Sequence, residues 1–195
     1  MLEEVYANGM SADWVLGDEV YGNAYKLRNW CMEHRQSFAL GVSTRHCMWI
    51  GSKQVRMGTL LNQVRDDQWV RLSTGDGTKG PRRFDWTTLH QVKQPLYDGF
   101  STFIVARRSL EKEKDVAMFS VFARHGTPMK EIVRAIGQRW KIEECFEGAK
   151  GQVGLDHYEV RSWHGWHRHM TLCLWAYAYL VHCACREHQK KARGT

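Results

Sequence analysis

The chain has 195 residues, with 28 Lys and Arg against 21 Asp and Glu for a formal charge of +7, and 43% hydrophobic residues. That length and balance suit a globular domain carrying an insertion, and they exclude a disordered or collagen-like chain. The basic surplus suits a polyanion partner and also serves solubility.

The opening MLEEVYANG puts acids where a secretory signal needs bases and has no apolar core, so a cytoplasmic protein is expected. It reads as the last turns of a helix ended by Asn8-Gly9. Asp13 to Gly17 then makes a short apolar strand, with Asp18 at its end. From Asn23 the apolar Leu27, Trp30 and Cys31 recur at helical spacing, and Ser37 to Ser43 forms a second short run expected to pair in parallel.

Between residues 45 and 125 the pattern changes to short alternating runs punctuated by Gly75, Gly77, Gly80, Pro81 and Pro95, which predicts a β-rich insertion. Ser101 to Arg107 and Val116 to Ala123, joined by the charged SLEKEKD, predict a hairpin. Asp76-Gly77 is a turn signal, and with Lys79, Arg82 and Arg83 beside it the same loop also suits phosphate contact. Trp69 and Trp86 fit the core better than base stacking.

Thr127-Pro128 reads as an N-cap with Pro at the first helical position, followed by Ile132, Val133 and Ile136 on the apolar face of a helix running through Lys150. A final helix is predicted from about Trp166 to Glu187. Its apolar stretch Met170 to Val181 is shorter than the roughly 20 residues that span a bilayer and is expected to be buried, so no membrane contact follows.

The six cysteines are expected to stay reduced. No Cys-x-x-Cys pair occurs, and Cys183 and Cys185 with His182 and His188 read as packed thiols rather than a zinc site.

Asp after a strand and Glu on a later helix suit a carboxylate site for a hard divalent cation, because such ions take oxygen ligands. Asp18 and Glu143 are the candidates. A turn-forming role for Asp18 remains open beside the metal role. Arg139, Glu143 and Lys150 fall on one side of a helix, which by itself suits a surface ion-pair ladder and, as the alternative, a metal and phosphate face. Glu144 and Glu147 belong to other faces. His157, Arg161, His164, His167, Arg168 and His169 surround Trp163 and Trp166, an interleaving that suits either a nucleic-acid backbone or an anchored helix start.

Three stretches carry a family resemblance: DWVLGDEVYG at 13–22, RLSTGDGTKGPRRFDW at 71–86 and RWKIEECFEGAKGQVGLDHYEVRSWHGWHRHMTL at 139–172. Over nearly its whole length the chain resembles the C-terminal part of a bacterial insertion-sequence transposase of the DDE type. The late-helix signature of that family is Tyr, two residues, Arg, three residues, Glu, six residues, Lys. Ile136, Arg139, Glu143 and Lys150 occupy those places, with Ile136 replacing the Tyr and reading as core.

The resemblance implies an α/β, RNase H-like core in two parts, residues 1–44 and 126–195, around a β-rich insertion at 45–125. It implies Asp18 as the second catalytic Asp and Glu143 as the acid closing a metal site for Mg²⁺, with Mn²⁺ as substitute. Arg139 and Lys150 would hold the backbone of double-stranded DNA, at transposon ends and target, with Lys79, Arg82, Arg83, Arg161 and Arg168 as further contacts. Pairing of two ends is compatible with a homodimer, the protein would associate with the bacterial nucleoid when bound, and no small-molecule cofactor is implied.

Only 17 residues precede Asp18, so the strand bearing the family's first catalytic Asp is not expected in this chain. Asp13 lies about 17 Å away along the same strand, at about 3.3 Å per residue, and does not substitute. The expectation is therefore an N-terminally truncated transposase with early strands missing and little activity alone. The alternatives are a DNA-binding or interfering remnant that does not cut, and a product that folds poorly because a sheet edge is exposed.

Overall fold

The computed structural model describes residues 2–50, 52–77, 80–93, 95–111, 115–159 and 161–193. In chain order the elements are α1 (Leu2–Ala7), β1 (Val15–Gly17), α2 (Glu19–Gly22), α3 (Tyr25–Glu33), β2 (Phe38–Val42), β3 (Cys47–Ile50), β4 (Lys53–Arg56) and α4 (Met57–Leu61). A 3-10 turn at Asp66–Gln68 leads to β5 (Val70–Gly77), β6 (Gly80–Lys93), β7 (Phe100–Arg108) and β8 (Val116–Arg124). The chain then runs through α5 (Met129–Gln138), α6 (Trp140–Val153) and α7 (Trp163–Arg193). These elements divide into two compact units, residues 1–139 and 140–195.

In the first unit the apolar run after Asp13 forms a strand of three residues that pairs in parallel with β2, Val15 opposite Phe38 and Gly17 opposite Leu40. The parallel arrangement follows from the crossover through α2 and α3, which returns the chain to the starting end of the sheet. β2 pairs antiparallel with β8, and the six-stranded order is β1-β2-β8-β7-β6-β5. The result is a mixed sheet in an α/β unit, in which the strands from residues 70 to 124 hydrogen-bond as one sheet with β1 and β2. β3 and β4 form a separate two-stranded ribbon.

Alternation along β7 and β8 buries both faces of the sheet. Phe103, Val105, Phe119, Val121 and Ala123 pack with Trp86 beneath Ile132, Val133 and Ile136 of α5. On the other face Phe38, Leu40, Phe100 and Phe122 meet Cys31, with Leu27 and Trp30 of α3 covering them. Val42, Ile104, Ala106 and Met118 continue that face under Met57 of α4. Period-2 burial on both faces is what makes these strands read as nearly continuous apolar runs.

The expected hairpin is present, with Ser101 opposite Ala123 and Arg107 opposite Ala117. β5 and β6 also form a hairpin, Gly77 opposite Gly80, across Thr78 and Lys79, which lie outside the described residues. Gly75 and Gly80, at φ 121° and 103°, supply backbone angles that L side chains rarely adopt.

Three local expectations need correction. Pro128, not Thr127, caps α5; the Thr127 hydroxyl donates to the Arg124 carbonyl at 2.7 Å and so serves the preceding turn. The helix does not run unbroken to Lys150, because the Arg139 N–H bonds back to Ile136, closing α5 with a 3-10 turn before α6 starts at Trp140. The apolar stretch from Met170 to Val181 is helical but mostly exposed: Cys173 is buried, whereas Trp175 is 74% exposed and Tyr179 66%.

In the second unit α6 ends at Gly154, whose φ of 66° turns the chain so that the Leu155 N–H reaches the Ala149 carbonyl. Ala149, Leu155 and Cys173 form its small core, joined by Val153, Met170 and Tyr177.

Candidate functional site: a strand-end aspartate and a basic helix end

Asp18 follows β1 directly and begins α2 as its N-cap. Its Oδ1 accepts from the backbone N–H groups of Val20 at 3.0 Å and Tyr21 at 3.4 Å. Both open readings of this residue thus meet in one geometry: the carboxylate shapes the turn, yet two hydrogen bonds use only part of its lone-pair capacity and the residue is exposed. The position outside the carboxyl end of a parallel strand is where open α/β sheets gather ligands.

Glycine sets the position of that turn, a feature the sequence signals in DEVYG and FALGV without revealing its partner. A Cβ on Gly22 would run into the Gly41 carbonyl oxygen, and one on Gly41 would lie 3.1 Å from the Asp18 carbonyl carbon. The backbone of α2 therefore rests directly on β2. Arg28 of α3 closes the far end of the turn by donating to the Gly22 carbonyl, and burial lowers the guanidinium pKa.

A second feature of the first unit is the C-terminal end of α5. Arg82 of β6 donates through Nη2 to the Gly137 carbonyl at 3.5 Å, and Arg139 is the residue that closes the helix. Cations there complement the negative end of the helix dipole. Arg107 of β7 lies on the same face of the sheet, because it pairs opposite Trp86, and its guanidinium sits 4.4 Å above the Phe84 ring. Arg83 is exposed, on the opposite side of β6 from Arg82.

The other face of these strands carries a paired network. Asp85 accepts from Arg71 at 3.0 Å and from Arg108 at 3.4 Å, and Arg108 also reaches Asp66 and stacks 4.5 Å from Trp69. Trp69 is half-buried, while Trp86 is fully enclosed. The Arg71 hydrogen bond holds the Asp85 carboxyl below its ordinary pKa.

In the second unit Glu143 lies in the first turn of α6 and Lys150 in its last, both exposed and seven residues apart on one face. Glu144 leaves that face and pairs with Lys141 at 2.6 Å. Arg161 and Arg168 are exposed at the start of α7, where Trp163 and Trp166 stack on each other at 6.3 Å between centroids. Of the neighbouring histidines, His169 bonds the Gly154 carbonyl at 3.2 Å and holds the α6 terminus, so it is structural.

Lys79 lies outside the described residues. Among the described residues no group of three His, Cys, Asp or Glu side chains is placed to hold a metal ion, the cysteines and histidines of α7 included. The donor chemistry of Asp18 and Glu143, two exposed carboxylates each at an element terminus, does fit a hard divalent cation.

The sequence profile of the transposase DDE domain matches residues 1–179. The chain belongs to the DDE transposase family. No curated protein matches it. The activity class of this DDE domain is accordingly that of an endonuclease and transposase, which acts on DNA and uses divalent metal ions. No helix among the described residues is long and apolar enough to cross a membrane.

Proposed function

We propose that the chain is an RNase H-like catalytic core, residues 1–44 and 126–195, interrupted by a β-rich insertion at 45–125, which hydrolyses and joins DNA strands at transposon ends in the bacterial cytoplasm. The observation that carries this reading is the exposed Asp18 carboxylate outside the carboxyl end of parallel β1, in a chain whose family does this chemistry. Asp18 and Glu143 are the groups that would hold Mg²⁺ or Mn²⁺. The chemistry such a cation supplies is activation of water or a 3′-hydroxyl and stabilisation of the leaving oxygen.

The work of the chain itself is binding and positioning. Arg139 and Lys150 hold backbone phosphates, and Arg82, Arg83, Lys79, Arg161 and Arg168 are further contacts to the duplex. Two copies act on two paired ends. Cutting by this chain alone is slow, since the carboxylates assigned here are two where a two-metal site needs several.

A second reading is DNA binding or interference without cutting, which the exposed basic side chains Arg83, Lys150, Arg161 and Arg168 would serve without a metal. Plasmid nicking in Mg²⁺ and in EDTA, alongside duplex binding by fluorescence anisotropy, separates the two. Salt-sensitive binding is expected, with slow Mg²⁺-dependent nicking that falls to background in Asp18→Asn and Glu143→Gln. Nicking that survives both substitutions overturns the carboxylate assignment, and binding with no nicking at all supports the second reading.

A further inference from the structure

The row of cross-strand partners that carries Trp86 also places Arg107 against the α5 face of the sheet, where a strand this close to the core ordinarily presents an apolar side chain. Arg107 is half-buried, and its Nε is shielded from solvent yet has no hydrogen-bond partner among the described residues. Its compensation on one side is the Phe84 ring, 4.4 Å from the guanidinium carbon. Burial works against its charge; the exposed Asp115 supplies an attraction, and Arg139 a smaller repulsion.

Arg108, the next residue, provides the contrast. It faces the other side of the sheet and is matched by Asp85 and Asp66 at 3.4 and 3.1 Å. One arginine of the pair is thus neutralised inside the protein, while its neighbour lies over an aromatic ring and close enough to Arg139 to be repelled by it. The helix end accounts for Arg82, which donates to the Gly137 carbonyl, but leaves the Arg107 Nε without an acceptor. Cations gathered this way are relieved by an anion bound between them, and a planar guanidinium fixed by stacking is pre-organised for a phosphate.

We infer that Arg107 is a backbone-phosphate contact for double-stranded DNA, acting with Arg82 and Arg139 at the C-terminal end of α5. The inference rests on the reading of the latter two as DNA contacts. Phe84 is the positioning residue, since its ring lies 4.4 Å from the guanidinium carbon.

The test is the salt dependence of duplex binding by the full chain, wild type against Arg107→Met, which keeps an apolar stem of similar length in the half-buried site. Loss of one phosphate contact lowers the slope of log K against log salt by about 0.9 and weakens binding uniformly across duplex sequences. A merely structural role does not move that slope. An unchanged slope and affinity in Arg107→Met, with wild type binding normally, overturns this inference alone; failure of the wild type to bind duplex DNA overturns the parent reading with it. Should Arg107→Met not melt cooperatively, Arg107→Lys carries the test. It keeps the charge and loses the stacked, two-pronged hold, so the slope stays near wild type while Kd rises several-fold, and a wild-type Kd overturns the proposal.

Discussion

Gly22 of α2 and Gly41 of β2 meet backbone to backbone, so closely that a Cβ on Gly22 would collide with the Gly41 carbonyl oxygen. The contact sets the height of the Asp18 turn above the sheet, since Gly41 also lies against the Asp18 backbone. Gly22→Ala is expected to cost about 2 to 3 kcal/mol as overpacking, and Gly41→Ala on the order of 1 kcal/mol. Urea melts give these values directly. Gly151→Ala, at an exposed helical position with nothing within 4 Å, is the control and should stabilise its unit by up to about 1 kcal/mol. Equal destabilisation at all three positions would remove the argument for a built turn.

Much of this arrangement is legible in the sequence, and the reasons differ by element. The strand, helix, strand unit from Val15 to Val42 and the hairpin of β7 and β8 are readable because their side-chain alternation and turn residues are local signals. The burial of Ile136 at 7% exposure follows from helical spacing alone. The exposure of Trp175 and Tyr179 does not, because an apolar run reports the capacity to be buried and not the presence of a neighbour. The setting of Arg107 is equally hidden: it depends on the register that places it opposite Trp86 and on Phe84 lying beneath it. Asp18 was readable as a candidate, but its partnership with Gly22 and Gly41 needs the parallel pairing of β1 and β2.

Asp85 should make the stability of the first unit depend on acid. Its folded pKa is depressed by Arg71 and, further, by Arg108, so its contribution is present above the unfolded value of about 3.8 and is lost as pH falls through the folded value. Asp85→Asn is expected to lower stability at neutral pH by on the order of 1 kcal/mol, with the difference from wild type narrowing as pH falls below about 3.8. Thermal melts from pH 7 to pH 3 check this, and a pH-independent difference would contradict it.

The thiols divide by environment. Burial pushes the Cys31 pKa from 9.0 to about 11, so this thiol should resist a disulfide reagent at pH 8 while the exposed Cys47, Cys145 and Cys185 react first. Because the folded pKa is raised, its contribution to stability is full below about pH 9 and declines as pH rises toward 11. Peptide mapping of labelled protein, with and without urea, reads the protection. Rapid native labelling of Cys31 would show that the α3 face of the sheet is open.

As the proposed metal ligands, Asp18 and Glu143 should both bind a divalent cation when DNA is bound, and ferrous iron in place of Mg²⁺ reads this directly. With ascorbate and peroxide, bound iron cuts the polypeptide close to its ligands, and the fragments are sized by mass spectrometry. The account predicts cuts flanking both Asp18 and Glu143 in the same DNA-bound sample, suppressed by excess Mg²⁺ and lost at both places in Asp18→Asn. Cuts at only one of the two, or at neither, would contradict it.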